Sequence, residues 1–361
     1  MTHRIRAAIV GAGFIGAVHA HAVRAAGGVI VATTGRTPEA TARAVEVLGA
    51  ERGVGSMAEL AAADDVDVVH ICTPNSTHAE MAEAVLAAGT PVICEKPLAT
   101  SVEDARRLTA RAAEADVLAA VPFVYRFYPA VREARARIAA GEAGPLWLLH
   151  GTYLQDWLAA ADATNWRVDP ALGGGSRTFG DIGVHWCDLM EFTTGHRIVR
   201  LAARMGTAYE GRGGTEDGAV VVFETDQGAS GSVVVSQVSP GRKNRLWFSF
   251  DGQAASYCFD QEHPDSLWVG GTAVNRVVMR GPDTFSDAAA GYARLPAGHP
   301  QGYQDAFNAF VSDVYAAIEG QKPEGLPTFM DGLRAAVLTQ AVVTAGAEQS
   351  WVEVPAWNWD S

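Results

Sequence analysis

Ile5-Arg6-Ala7-Ala8-Ile9-Val10-Gly11-Ala12-Gly13-Phe14-Ile15-Gly16 is the stretch whose reading decides the fold. Residues 5–10 are nearly all apolar rather than alternating, the pattern of a strand buried on both faces of a parallel sheet. After the glycines, Val18, Ala22, Val23 and Ala26 recur at helical spacing up to Gly27-Gly28. Strand, glycine turn and helix in this order give G-x-G-x-x-G a mechanism. Gly11 makes the tight turn, Gly13 lets the backbone approach a pyrophosphate, and Gly16 lets helix and strand pack closely. Phe14 and Ile15 share that turn, where the helix N-terminus offers amide donors and the positive end of its dipole to phosphates. Outside this context the glycines would mark only a tight βα loop.

Strand and helix keep alternating beyond the turn. Residues 29–34 read as a second strand ending in Gly35-Arg36-Thr37, with a helix from Pro38. An NAD-preferring enzyme usually places an acid near this strand end to grip the ribose 2′-hydroxyl, and none is present; Arg36 suits a 2′-phosphate or the adenine face. The cofactor expected is therefore NAD or NADP, leaning to NADP, with a solvated surface arginine as the plainer alternative. Residues 66–72 read as a strand, and Thr77-x-x-Glu80 as a capping box opening a helix that stops at Gly89. Between them, Thr73, Pro74, Asn75 and His78 fall at the carboxyl edge of the sheet, where ligands of such folds bind, although a simple capping loop has the same composition. Residues 91–94 form the next strand, Ser101 caps a helix, and 117–124 read as the strand that leaves this domain.

The strand 91–94 closes on Cys94-Glu95-Lys96-Pro97. Lys96, Lys243 and Lys322 are the only lysines among 28 lysines and arginines. An amine can be tuned to give or take a proton, whereas a guanidinium stays charged. Lys96 is thus a candidate for chemistry.

At 361 residues the chain exceeds one hydrophobic core and divides into an expected Rossmann domain, 1–123, and a second domain, 124–361. Its formal charge of −13 argues against nucleic-acid or anionic-membrane partners. No segment approaches the roughly 20 apolar residues of a membrane span. Cys72, Cys94, Cys187 and Cys258 lie far apart without a CxxC pair, as expected of free thiols in a reducing compartment. These features point to a cytoplasmic enzyme acting on small molecules.

Beyond residue 124 the pattern changes. An amphipathic helix over 129–140 precedes strands at 146–154, 218–225, 229–237 and 245–250, with Asp226-Gln227-Gly228 and Asp251-Gly252 as turns. Hairpin-linked strands of this kind make a large, predominantly antiparallel open sheet. Helices at 303–319 and 332–347 are expected to pack across one face, leaving the other to a partner subunit in a homodimer or homotetramer.

Within this half, Trp166-Arg167 leads through Gly173-Gly174-Gly175 to Asp181-Ile182-Gly183-Val184-His185. On a helix, residues four apart lie on one face, so Asp181 and His185 can address one ligand atom or each other. Imidazole is a suitable base near neutral pH, and a carboxylate can orient it. The alternatives are an N-cap with a satisfied buried histidine, or two legs of a metal site. No further His/Cys cluster lies at metal-ligand spacing, so no metal is expected. Trp157, Trp166 and Trp186 flank the pair together with Gln155, Asn165 and Arg167. Flat aromatic faces beside planar hydrogen-bonding groups suit a polyhydroxylated ring.

The glycine motif, Cys94-Glu95-Lys96-Pro97 and Gly173-Gly174-Gly175 with Asp181-x-x-x-His185 resemble, in this order, the glucose-fructose oxidoreductase/inositol dehydrogenase (Gfo/Idh/MocA) family over essentially the whole chain. The resemblance implies a Rossmann domain, an α/β substrate domain and hydride transfer between NAD(H) or NADP(H) and a sugar, cyclitol or related carbonyl. It makes Lys96, Asp181 and His185 the catalytic trio and sets Glu95 and Lys96 on the nicotinamide side. It also makes Arg126, in Tyr125-Arg126-Phe127, a substrate-side candidate. A redox-assisted lyase or glycosidase that recycles its cofactor in place, and a non-catalytic nucleotide-dependent sensor, are the competing readings.

Overall fold

A computed structural model of the protein describes residues 4–209 and 214–355. The chain forms two compact units: one runs up to Val124 and includes Gln304–Ala336, the other comprises Tyr125–Tyr303 and the chain from Val337 onward. The first break falls beside the expected one, but residues 304–336, assigned to the second domain from sequence, pack with the first.

Among the described residues the first unit holds six strands, β1 (Arg6–Val10), β2 (Val29–Thr34), β3 (Arg52–Gly53), β4 (Val68–Ile71), β5 (Val92–Cys94) and β6 (Ala119–Ala120). They pair in the order β3-β2-β1-β4-β5-β6, every neighbour parallel. The order reverses between β1 and β4, and such a reversal opens a ligand crevice at the carboxyl ends of the strands. Ala7, Ala8, Ile9, Val68, Val69 and Ile71 are completely buried, as their unbroken apolar runs require. The hydroxyls of Thr37, Ser56 and Ser101 each accept an amide of the following first helical turn.

Two sequence expectations give way here. Thr77 does not cap the helix His78–Ala87: its hydroxyl donates to Pro74 O at 2.8 Å and lies 2.7 Å from the Thr73 hydroxyl. It is drawn into a short 3₁₀ turn, Asn75–Thr77, that precedes the helix. The strand read over 117–124 shrinks to Ala119–Ala120. Pro122 has no N–H to donate to a ladder, and the Val121 amide turns to Pro327 O at 3.2 Å.

Among the described residues the second unit is built on nine strands: β7 (Leu146–Leu154), β8 (Ile198–Gly206), β9 (Gly218–Thr225), β10 (Ser230–Ser236), β11 (Arg245–Gly252), β12 (Ser256–Asp260), β13 (Ser266–Gly270), β14 (Arg276–Met279) and β15 (Val352–Glu353). Their order is β14-β13-β12-β11-β7-β10-β9-β8-β15. Of these described strands only β7 and β10 pair in parallel, so the sheet is predominantly antiparallel as expected. Burial alternates along β9 and β10. One face carries Val221, Phe223, Val233 and Val235 into the core, and the other exposes Val220, Val222 and Val234. Trp186, on the helix Val184–Thr194, fills the core against β7, its indole N–H bonding Trp247 O at 3.0 Å. It is a packing residue and not part of a sugar-binding face.

Candidate active site

In the first unit the glycine turn has the form a dinucleotide requires. Gly11 adopts φ +104°, and a Cβ there would stand 2.4 Å from Cys72 O. A Cβ at Gly16 would stand 1.9 Å from Gly11 O, so helix and turn touch only because Gly16 lacks a side chain. Gly13 differs: a Cβ there would meet nothing within 4 Å. It is exposed at the N-cap of the helix Phe14–Ala25, where no side chain caps the first turn. These uncapped amides fit a pyrophosphate, the group that uncapped helix N-termini take most readily.

The Cys94-Glu95-Lys96-Pro97 segment leaves the end of β5, anchored by the Glu95 amide on Ile71 O at 3.0 Å. Glu95 is buried, and its carboxylate accepts the Lys96 amide at 3.1 Å and faces His19 Nε2 at 3.1 Å. Lys96 itself is half-buried and the Lys96–Pro97 peptide is cis. His78 lies between two carbonyls, Nδ1 2.7 Å from Pro97 O and Nε2 2.8 Å from Thr73 O. Only an imidazolium would donate to both, while burial pushes its pKa down; a neutral ring donates to one and leaves the other bond unmade. Its ring thus faces backbone on both sides, between the Thr73 loop and the Lys96–Pro97 turn. Thr73, Pro74 and Asn75 remain half-buried, and Arg36 is exposed beyond β2. Burial pushes the Cys72 and Cys94 thiols well up, so both behave as inert packing groups.

In the second unit Asp181 stands on a π-helical turn, Phe179–Gly183, closed by the Val184 amide bonding Phe179 O five residues back. The expected single α-helix thus begins as a wider turn, of the kind often found at functional sites. Asp181 accepts from Gln237 Nε2 at 2.7 Å and pairs with Arg167 Nε at 3.5 Å. Arg167 lies over the Trp166 ring at 4.3 Å, and Asn165 caps the turn beneath them. His185 is buried, its ring edge-on to Tyr125 at 5.2 Å between centroids and 6.4 Å from Tyr153.

Around that histidine runs a chain of planar polar groups. Trp157 Nε1 donates to Gln155 Oε1 at 2.8 Å, Gln155 Nε2 to Asn244 Oδ1 at 2.7 Å, and the Tyr153 hydroxyl to the same oxygen at 2.9 Å. The Tyr125 hydroxyl meets that of Tyr153 and accepts from Asn244 Nδ2 at 3.3 Å. Burial pushes Tyr125 up to about 12, so its hydroxyl keeps its proton at any working pH. Among the described residues no group of three or more His, Cys, Asp or Glu is placed to hold a metal ion.

Two family models account for most of this chain. Residues 5–123 match the oxidoreductase family with an NAD-binding Rossmann fold, and residues 131–258 match the GFO/IDH/MocA C-terminal domain. The chain belongs to the Gfo/Idh/MocA family. It is 31% identical over 346 residues to levoglucosan dehydrogenase of Pseudarthrobacter phenanthrenivorans, covering 88% of this chain and 87% of that one. Identity to 1,5-anhydro-D-fructose reductase of Ensifer adhaerens is 30%, over 92% of this chain and 93% of the reductase. The solved complex of levoglucosan dehydrogenase with NADH superposes with a TM-score of 0.92 at 29% identity, covering 98% of this chain and 100% of that one.

For a member of this family, the site residues legible in the sequence fall into distinct places. Glu95 and Lys96 follow β5 in the first unit, and Gln155, Trp157, Trp166, Arg167, Asp181 and His185 belong to the second. Arg126, expected on the substrate side, is instead almost fully buried, forking onto both oxygens of Asp188 and lying over the Phe192 ring. Its neighbour Tyr125 is the residue that meets His185. Sequence reading missed Tyr153, Gln237 and Asn244, which come from β7 and from segments following β10 and preceding β11. It also missed His19 and His70. For His70 a signal existed, because an imidazole in the middle of the apolar strand Val68–Ile71 must have a buried partner.

Proposed function

We propose that this oxidoreductase interconverts a hydroxyl and a ketone on a cyclic sugar, anhydrosugar or cyclitol, with Lys96, Asp181 and His185 as its reacting groups. The observation that carries this reading is the surround of His185: an imidazole against tyrosine rings, beside amide and indole donors and a carboxylate held by Gln237 and Arg167. That is a set of partners for hydroxyl groups and for a ring's C–H face, with a proton acceptor among them. The names of the two relatives, a dehydrogenase of levoglucosan and a reductase of 1,5-anhydro-D-fructose, support the same class.

When bound, the nicotinamide cofactor takes up or releases the hydride, which is the step no side chain can perform. The chain's own residues do the rest. His185 takes the proton of the reacting hydroxyl, or returns it in the reverse direction. The Lys96 ammonium hydrogen-bonds the same oxygen and steadies the charge that develops there. Asp181, fixed by Gln237, orients the imidazole or the sugar ring. The amides of Gly11, Gly13, Phe14, Ile15 and Gly16 hold the phosphates, and Thr73, Pro74 and Asn75 hold the ribose and nicotinamide side. Gln155, Trp157, Trp166 and Arg167 bind substrate hydroxyls and ring face. The cofactor is NAD or NADP, with Arg36 favouring the latter. A second copy of the chain covers the open face of the large sheet, giving a dimer or tetramer.

A panel of anhydrosugars, monosaccharides, glycosides and inositols, assayed with NAD⁺ and NADP⁺ separately, tests the reaction class. The expected result is stoichiometric NAD(P)H and a ketone for at least one anhydrosugar or cyclitol. Bond cleavage without net reduction would identify a lyase instead, and nucleotide binding without turnover of any polyol would identify a sensor.

A further inference from the structure

Four buried side chains of the first unit form a line of hydrogen-bonding groups that the reaction scheme does not use. The Tyr315 hydroxyl lies 3.2 Å from His70 Nε2, His70 Nδ1 lies 2.9 Å from His19 Nδ1, and His19 Nε2 lies 3.1 Å from Glu95 Oε1. Glu95 Oε2 accepts the backbone amide of Lys96 at 3.1 Å. Both histidines are 0% exposed, Tyr315 4% and Glu95 5%. A core between helix and sheet needs none of this polarity. Leucine or methionine at 19 and 70 would pack beside Phe307, whose ring lies 5.1 Å from that of His19, without the desolvation cost of two imidazoles.

With His19 neutral, the geometry leaves each group one role. Burial and the neighbouring His19 push the His70 pKa well below its ordinary value, which keeps that ring neutral with a single hydrogen. Two facing Nδ1 atoms bond only if one carries a hydrogen and the other a lone pair. With both Glu95 oxygens accepting, His19 donates from Nε2, so its Nδ1 accepts from His70 Nδ1–H. His70 Nε2 then accepts from the Tyr315 hydroxyl. Each hydrogen is set by its neighbour, and the line polarises towards the carboxylate. On the far side of Lys96, His78 lies between two carbonyls, 2.7 Å from Pro97 O and 2.8 Å from Thr73 O. Lys96 thus stands between two residues, each facing a buried histidine.

We propose that His19 is a positioning residue: backed by His70 and Tyr315, it fixes the Glu95 carboxylate and, through it, the backbone from which the Lys96 ammonium projects. This rests on the reading of Lys96 as a reacting group. Its first test does not. In the nucleotide-bound full-length enzyme with ¹⁵N-labelled histidine, His19 is expected to carry a hydrogen on Nε2 and His70 to be the neutral Nδ1–H tautomer. The opposite tautomer at either position, or an imidazolium at His70, would overturn the proposal.

The second test replaces His19 by Leu, which removes the donor to Glu95, and by Gln, whose amide nitrogen keeps it. His19→Leu should lower kcat about 100-fold while the sugar KM and the nucleotide Kd stay within about threefold, and His19→Gln should recover most of the loss. Wild-type kcat in His19→Leu, or KM and Kd moving as far as kcat, would contradict it. Should His19→Leu not fold, the tautomers decide. A fully active Lys96→Ala enzyme with the expected tautomers would remove Lys96 from the reaction and leave the hydrogen-bonded line as described.

Discussion

Arg36 is the residue at which one side chain is proposed to set cofactor choice. It stands about 20 residues beyond the last glycine of the motif, where an acid would grip a ribose 2′-hydroxyl and an arginine a 2′-phosphate. The position before it is closed to any side chain, since a Cβ at Gly35 would lie 2.8 Å from Thr41 N. A charged hydrogen bond of this kind contributes about 1.5–3 kcal/mol, so Arg36→Asp should lower kcat/KM for NADP⁺ about 10- to 100-fold and spare NAD⁺. An unchanged NADP⁺/NAD⁺ ratio would return Arg36 to the surface. Residues of this kind were readable because their motifs are contiguous: Gly11 to Gly16, Glu95-Lys96 and Asp181-x-x-x-His185 each occupy a few neighbouring positions. The line from Tyr315 to Glu95 and the cluster of Tyr125, Tyr153, Gln155 and Asn244 are assembled from distant segments, and no local spacing announces them.

The element that carries the acid and imidazole is wound differently from what their spacing suggests. Asp181-x-x-x-His185 predicts one α-helical face, yet the turn Phe179–Gly183 is a π-helix and the α-helix starts only at Val184. Spacing cannot distinguish the two, because the hydrogen-bond shift arises from packing. Gly183 lies under the Phe179 ring, and a Cβ there would meet that ring at 2.4 Å. Gly183→Ala should therefore cost about 1–3 kcal/mol of stability and lower kcat by displacing Asp181. Gly175→Ala is the control, as its Cβ would meet nothing within 4 Å. Equal melting temperatures for the two variants would show that the turn does not depend on this contact. The other elements misread from sequence have similarly local causes. Thr77 gives its hydroxyl to Pro74 O rather than to the helix, and Pro122 ends β6 early.

At the scale of the molecule, the parallel order of the first sheet and the antiparallel character of the second were legible from apolar runs and turn residues. The return of residues 304–336 to the first unit was not, because a helix pattern shows which stripe is apolar but not which unit buries it. The open face of the second sheet makes a further prediction. Val220 and Val234 stand directly opposite each other on neighbouring strands, both exposed. If a second copy covers them, Val234→Lys should reduce the mass measured by light scattering to that of the monomer without lowering the melting temperature of the isolated chain. A monomeric wild-type protein would refute that assembly. Among the described residues no helix is long and apolar enough to cross a membrane.

The most direct measurement is a double-mutant cycle on turnover with Lys96→Ala, His185→Ala and both together, with nucleotide Kd followed in parallel. Groups that serve one oxygen act as a unit, so each single variant should lose about 10²- to 10⁴-fold in kcat and the double variant little more than the worse single one, with nucleotide still bound. Losses that multiply, or a wild-type rate in either single variant, would show that the ammonium and the imidazole do not work on the same hydroxyl.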